Sequence, residues 1–245
     1  MSYSFYKRDD TKVDFNVEEF VKVYEQSYYL HKEDCPLYIP RVSVNSRIAE
    51  KRADELLVNG IKKSEDVAFI LAWKIGGINH IESEAKKKIV FKEDWQNNGF
   101  VKERYFKCER AAFNSFCQEV ARINSNIETE TIINEIIQAA NDNGVKLGAV
   151  YILTLLYFIT RKESPIFDRF AYIAAKSICI GAAPQRTWYE YPSRKTPEAI
   201  LRVINEYKWF LTQVFGYSNI SRSIDRALWV YGHMFYEDED KKENQ

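Results

Sequence analysis

The chain has 245 residues, of which 46% are hydrophobic and 15% aromatic, and this is enough for one large domain or two small ones. Basic residues and acidic residues both number 35, and a formal charge of zero argues against a general polyanion binder while leaving room for a local basic face. No apolar segment of signal-peptide or membrane-spanning type occurs, so the sequence predicts a cytoplasmic protein that contacts no membrane.

The four cysteines and three histidines are scattered, without a CxxC pair or the spacing of metal ligands. We therefore expect reduced thiols, no metal and no cofactor. Cys108 and Cys117 lie nine residues apart on one predicted helix, where packing is a better interpretation than a redox pair.

In chain order, residues 1–15 are predicted to form a mobile lead, residues 16–236 a single helical domain and residues 237–245 a disordered charged tail. Apolar residues at helical spacing predict helices over residues 17–30, 64–73, 101–123 and 128–140. A further helix is expected to end at Leu57, with a cap at Asn45 or Ser46 and a stop at Asn59-Gly60. Residues 80–100 are ambiguous: 89–91 resemble a strand, but the charged residues around them favour helix or loop.

The run Leu147–Ile159 is apolar on nearly all sides, which is typical of a helix surrounded by other helices. A polar connection follows, and Pro165 is expected in the first turn of the next helix. Asp168 would then lie in that first turn, where the helix dipole favours the ionised carboxylate. Such an acid is either a cap or, because it lies between two very apolar segments, a functional group.

After a loop over residues 185–195, helices are predicted from Pro197 to Phe215 and from about Ile220 onward. No internal repeat and no strand alternation is evident. The sequence therefore predicts an all-α fold in one compact helical domain.

Four strings resemble the helix-hairpin-helix DNA glycosylase superfamily, and most closely its branch of 8-oxoguanine DNA glycosylase relatives. They are GVKLGAVYILTLLYFI, SPIFDRFA, SIDRALWVYGH and, upstream, AFILAWK. Their order and spacing carry the resemblance, which implies DNA as partner and base excision in DNA repair as the activity.

In that superfamily the aspartate that matches Asp168 stabilises positive charge on the sugar and helps activate water. The target base is flipped into an aromatic-walled pocket. The resemblance makes four aromatic residues candidates for these walls, although each would equally suit the core. They are Tyr157, Trp188, Trp229 and Tyr231.

Two positions depart from the family pattern. Members with lyase activity carry a lysine before the aspartate, and here the matching positions hold Thr154 or Ala149, so no β-lyase activity is expected. Lys146 lies three residues before Ala149 and hence on about the same side of the helix. It is the remaining candidate for the amine, although a lysine near a helix start is ordinarily a solvated surface residue. Gly144 and Gly148 stand where the hairpin glycines would present N–H groups to a phosphate, but their spacing is longer than usual.

DNA contacts are predicted chiefly in the segment 161–202, which has eight basic and four acidic residues. The loop RTWYEYPSRK mixes cations with aromatics, which suits phosphate contact and base stacking as well as an ordinary surface loop. The predicted DNA-binding residues here are Arg169, Arg186, Arg194 and Lys195.

The leading hypothesis is a monofunctional DNA glycosylase with Asp168 as its essential carboxylate. The alternative is an inactive relative that keeps the scaffold as a nucleic-acid or protein interaction module, with Asp168 as a helix cap only.

Overall fold

The computed structural model describes residues 3–7, 10–28, 47–75, 78–79, 90–91, 105–161, 163–188, 196–217 and 220–242. The described part is mostly helical, as the sequence predicts, with two short antiparallel strand pairs. The helices are α1 (Val17–Tyr24), α2 (Arg47–Asn59), α3 (Ser64–Lys74), α4 (Arg110–Val120), α5 (Thr129–Asp142), α6 (Ala149–Ile159), α7 (Arg169–Ile180), α8 (Pro197–Phe215) and α9 (Arg222–Lys242). The strands are β1 (Ser4–Tyr6), β2 (Lys12–Asp14), β3 (Ile78–Asn79) and β4 (Val90–Phe91).

The chain divides into two compact units. The first unit takes in the described residues of Met1–Asn45, Pro165–Tyr191 and Val203–Gln245. The second takes in those of Ser46–Ser164 and Pro192–Arg202, so that α8 begins in the second unit and continues in the first.

The segment predicted to be a mobile lead contains β1 and β2, which form an antiparallel hairpin with Phe5 paired to Val13. Phe5 is fully buried, and its ring makes edge contacts with Phe20, Tyr24 and Tyr231 at centroid distances of 5.5, 6.0 and 6.2 Å. The hairpin therefore belongs to the core of the first unit.

The second unit is built around α6, whose residues 152–159 are all buried, as the apolar run predicts. Its Phe158 makes an edge contact with Trp73 of α3 at 5.8 Å. Trp73 also donates a hydrogen bond to the buried Glu50 of α2 at 2.7 Å. Amphipathic α4 and α5 also belong to this unit.

Several predicted boundaries are corrected. The helix expected over 101–123 is α4 alone within the described residues, because Lys107 adopts φ 53° and interrupts helical geometry. Pro165 precedes α7 and does not enter its first turn. The tail predicted to be disordered from residue 237 continues α9 as far as Lys242. Among the described helices, none combines the length and apolar character required to cross a bilayer.

Candidate functional site

Asp168 occupies the N-cap position of α7, immediately before the first helical turn where the sequence placed it. Its backbone is extended (φ −139°, ψ 144°), and its Oδ1 accepts a hydrogen bond from the Phe170 N–H at 2.9 Å. Aspartate is favoured here because its side chain satisfies an N–H group that has no partner within the helix. The residue is half-buried, so the carboxylate is held in place and still partly accessible.

Gly232 of α9 allows the start of α7 to approach closely. A Cβ atom at this position would lie 2.2 Å from the Phe170 carbonyl oxygen and 2.7 Å from its carbonyl carbon. Because these are backbone atoms, no side-chain rotation could relieve the overlap. Only glycine therefore fits, and Gly232 determines which side chains of α9 lie beside the Asp168 end of α7.

Two of those side chains, Trp229 and His233, form a group of tilted, closely packed rings with Phe170 of α7, and we call these three residues the aromatic stack. The ring centroids of Phe170 and His233 are 3.4 Å apart, and those of His233 and Trp229 are 3.9 Å apart. His233 is held by its Nδ1, which lies 3.1 Å from the Trp229 carbonyl oxygen. The guanidinium of Arg169 lies 4.6 Å from the Phe170 ring centroid, an attractive cation–π arrangement.

The aromatic stack is partly accessible, since Trp229 and His233 are both half-buried, as is the neighbouring Arg169. His233 is a site residue that the sequence analysis missed. The signal for it was the spacing in WVYGH, since residues four apart lie on the same face of a helix. Gly232, between them, marks the close approach of another chain segment.

Tyr207 of α8 contacts the aromatic residue that directly precedes Asp168. It is fully buried, and its ring packs against Phe167 and Tyr172 at centroid distances of 5.4 and 6.2 Å. Its hydroxyl has no hydrogen-bond partner among the described residues. Burial raises the pKa of Tyr207 well above its ordinary value, and the negative charges of Asp225 and Asp168 raise it further.

Two ion pairs lie near the start of α9. Asp225 is 6% exposed and pairs with Arg222, one turn before it. Arg226 contacts Glu25 with an Nη1–Oε1 distance of 3.4 Å. The carboxylate of Asp225 is thus compensated by a cation in a largely buried setting, which a buried charge requires.

The predicted aromatic walls divide into two groups. Tyr231 and Tyr157 are 0% and 2% exposed, and both are core residues, which is the alternative interpretation of each. The Tyr231 hydroxyl accepts a hydrogen bond from the Tyr6 N–H at 2.9 Å, which ties β1 to α9. Trp188 is half-buried in a short 3₁₀ turn, with the Lys176 ammonium 6.0 Å from its ring centroid, and Trp229 belongs to the aromatic stack.

The hairpin that carries the predicted phosphate-binding glycines lies between α5 and α6. Gly144 is exposed with φ 64°, and Gly148 is the N-cap of α6. Hydrogen bonds inside the protein use three N–H groups of this turn, those of Gly144 to Asn141, Val145 to Ala140 and Lys146 to Phe106, at 3.0, 2.7 and 2.8 Å. An anion at this turn would therefore depend on the N–H groups that follow Lys146.

The basic residues predicted to act in catalysis or DNA binding lie in different parts of the structure. The side chain of Lys146 is exposed, in the second unit, whereas Asp168 belongs to the first. Arg169 lies at the aromatic stack. The backbone of Arg186 forms part of the 3₁₀ turn, and Arg194 and Lys195 lie outside the described residues.

Two cavities are lined by described residues of the second unit. One of about 250 Å³ lies between α4 and α5 and contains Glu119, Glu135 and Asp142 beside Arg122. The other, of about 50 Å³, lies where α2, α4 and α6 end and contains Gly60 and Arg161. Neither is lined by Asp168, and in the described part of the chain no cluster of three or more acidic, histidine or cysteine side chains is arranged to hold a metal ion.

Three of the four cysteines lie in the described part of the chain. Cys108 and Cys117 are buried and Cys179 half-buried, all three as free thiols. Burial raises the pKa of each, so they suit packing and not nucleophilic chemistry.

Fold and site together define a mostly helical protein with a capped, half-exposed aspartate beside an aromatic stack. No family model, no curated protein and no solved structure matches this chain.

Proposed function

We propose that this chain is a monofunctional DNA glycosylase of the helix-hairpin-helix type, in which Asp168 is the catalytic carboxylate. One observation carries the proposal: the Asp168 carboxylate is fixed by its capping hydrogen bond, is partly exposed and lies two residues before Phe170 of the aromatic stack. A fixed anion next to flat aromatic groups suits a reaction that develops positive charge on a sugar while a base departs.

The reaction would break the bond between the anomeric carbon of the sugar and the base nitrogen, with the bonding electrons leaving on the base. The sugar then resembles an oxocarbenium ion, and an ionised Asp168 lowers its energy without reorganising. Water adds to the anomeric carbon and loses its proton to the carboxylate, as in other glycosidic hydrolyses.

A covalent route through an amine has no support in the residues that match the family lysine. Thr154 is buried and donates its hydroxyl to the Val150 carbonyl oxygen at 2.8 Å, and Ala149 has no functional group. Neither forms a Schiff base. The proposed enzyme is therefore a hydrolase of N-glycosyl bonds without β-lyase activity.

DNA is the proposed partner, with Arg169 and the aromatic stack as the contact region. An arginine on a partly exposed aromatic surface suits a phosphate contact combined with stacking of a flipped base. Trp229 and His233 would supply the stacking face, since both are partly exposed.

A second candidate function is an inactive nucleic-acid or protein interaction module. The observation in its favour is that helix capping alone accounts for the position of Asp168. The internal use of three N–H groups in the turn between α5 and α6 also favours it, because these groups would otherwise contact phosphate.

Asp168→Asn separates the two candidates, because asparagine is as good an N-cap as aspartate but carries no charge. We expect wild-type protein to release a damaged base from duplex DNA and Asp168→Asn to lose at least about 100-fold in rate at unchanged thermal stability. Asp168→Ala would in addition lower the free energy of unfolding by about 1 kcal/mol. Lys146→Ala serves as the matched control and should retain full activity, and borohydride should trap no protein–DNA adduct.

Binding provides a second measurement. Affinity for duplexes with an abasic-site analogue should fall as salt rises, since phosphate contacts release counterions. A preference for the analogue over intact duplex would support the glycosylase. Salt-dependent binding without that preference, and without base release from any lesion panel, would favour the interaction module.

A further inference from the structure

Lys176 lies on α7, about two turns after Asp168, among three aromatic rings. Its ammonium is 5.8 Å from the ring centroid of Tyr172, 6.0 Å from that of Trp188 and 5.8 Å from that of Phe210. Because the face of each ring attracts a cation, the three contacts hold the ammonium at a defined point. Lys176 is half-buried, so this point is still reached from solvent.

The charge of Lys176 is available to an anion. Within the described residues, no carboxylate forms an ion pair with it. Glu206 precedes Phe210 by one turn of α8, but its side chain is exposed and it is not among the ion-paired acids of the described part. An ammonium that is held by rings and not by a carboxylate can pair with a phosphate as a point charge.

Accessible indole rings lie next to this cation. Trp209 of α8 is 54% exposed, and its ring meets that of the buried Phe210 edge to face, with the centroids 5.2 Å apart. Trp188, which contacts the Lys176 ammonium directly, is half-buried. Single exposed apolar side chains are common on protein surfaces, but two accessible indoles near one ammonium form a patch of defined chemistry.

We propose that Lys176, Trp188 and Trp209 form a binding site for an unpaired stretch of a DNA strand, with a phosphate on the ammonium and a base stacked on an accessible indole. Flat aromatic faces beside a cation suit single-stranded nucleic acid, because every base can stack and every nucleotide carries a phosphate. The helical rise places Lys176 about 12 Å beyond Asp168 along α7, a length that about three or four nucleotides of a strand would cover. The choice of DNA as the occupant rests on the proposed function, but the contacts that form the site do not.

Binding of a fluorescein-labelled oligothymidylate of about twelve nucleotides tests the stacking role of Trp209. We expect Trp209→Ala to weaken binding about 10-fold, because one stacked base is lost, and Trp209→Phe to keep most of the affinity. Tyr217→Ala is the matched control, since Tyr217 is a 46% exposed aromatic residue of the same unit, and it should bind as wild type does. Equal affinities of Trp209→Ala and wild type would overturn the proposal.

Salt dependence tests the role of Lys176. Lys176→Gln removes the charge and keeps a polar side chain, so the slope of log affinity against log salt should become shallower by about 0.7, the value for one phosphate contact of a single strand. Lys22→Gln, at an exposed lysine of α1 in the same unit, should keep the wild-type slope. If Lys176→Gln loses affinity at an unchanged slope, the lysine only supports the packing of the rings, and the proposal fails.

A polyanion without bases provides the last control. Inorganic polyphosphate at matched phosphate concentration should displace the oligothymidylate poorly, because it offers nothing to stack, and displacement as efficient as by unlabelled strand would contradict the site. Wild-type protein that binds the strand but releases no base from any lesion would refute the proposed function and support this site. Protein that releases a base, but whose binding is unaffected by Trp209→Ala and Lys176→Gln, would leave the proposed function intact and rule out this site.

Discussion

Gly232 sets the distance between the start of α7 and α9 through a single missing methyl group. Around it the aromatic stack, Asp168 and the Phe170 carbonyl are brought together by backbone contact. The site is therefore sensitive to a residue that has no chemistry of its own.

Gly232→Ala tests this close approach. The added Cβ would lie 2.2 Å from the Phe170 oxygen, so the helices must separate, and we expect the free energy of unfolding to fall by about 3 kcal/mol. Urea denaturation measures the loss, and near-ultraviolet circular dichroism should show a disturbed Trp229 environment.

Gly148→Ala is the control for that substitution. Its Cβ would meet only the Tyr151 side chain at 3.4 Å, and φ is −81°, so the cost should be about 1 kcal/mol or less. Equal losses in the two variants would show that the contact at Gly232 does not determine the packing of α7 on α9.

At the scale of elements, α2 and α3 are joined by two polar contacts across their interface. Glu50 accepts from the Trp73 indole, and Asp66 accepts from Arg52 Nη2 at 2.6 Å. Asp66 is 4% exposed and also accepts from the N–H groups of Lys62 and Lys63 at 3.0 and 3.3 Å. One side chain thus caps the start of α3 and holds α2 against it.

Asp66→Ala should lower the free energy of unfolding by about 3 kcal/mol, since it removes a helix cap and leaves the guanidinium of Arg52 without this partner. Asp66→Asn keeps an acceptor for the N–H groups and should lose about half as much. Chemical denaturation followed by far-ultraviolet circular dichroism gives both values. A neutral result for Asp66→Ala would mean that apolar packing alone positions α3.

Helices with clear end signals were predictable from sequence. The prediction for Pro197–Phe215 is confirmed residue for residue, because proline marks its start and Gly216, at φ 79°, follows its end. The conformation of the segment before Arg110 was not predictable in this way, because Phe106 and Cys108 are buried without being helical. Periodicity reports which residues are buried, and Lys107 with φ 53° shows that burial does not fix conformation.

The candidate site was predictable only in part for a related reason. Asp168 stands out locally, as an acid between two apolar runs. Tyr207, Gly232 and His233 acquire significance through contacts with α7, which no local pattern encodes. Tyr231 and Tyr157 were ambiguous because buried and pocket-lining aromatics have the same sequence pattern.

At the scale of the whole chain, the first unit is discontinuous in sequence. The Tyr6 N–H donates to the Tyr231 hydroxyl, a contact across 225 positions. Local sequence at residues 1–15 could not predict this, because a three-residue strand gains its stability from a partner near the other end of the chain.

This long-range contact predicts how the protein responds to alkali. Burial raises the pKa of Tyr231 from 10.0 to about 12, whereas in the unfolded chain the phenol ionises near its ordinary value. The unfolded state therefore loses its proton first, so the stability contribution is complete below pH 10 and is lost as pH rises toward about 12. A difference of this size corresponds to about 3 kcal/mol, and urea midpoints should fall steeply over that interval.

Cys117, whose pKa burial also raises from 9.0, adds to the loss of stability, so the contribution of Tyr231 must be isolated by substitution. Tyr231→Phe should be less stable than wild type at neutral pH, since the Tyr6 N–H loses its acceptor, but should show a shallower decline above pH 10. Parallel declines in the two proteins would show that ionisation of Tyr231 does not limit the alkaline stability of the first unit.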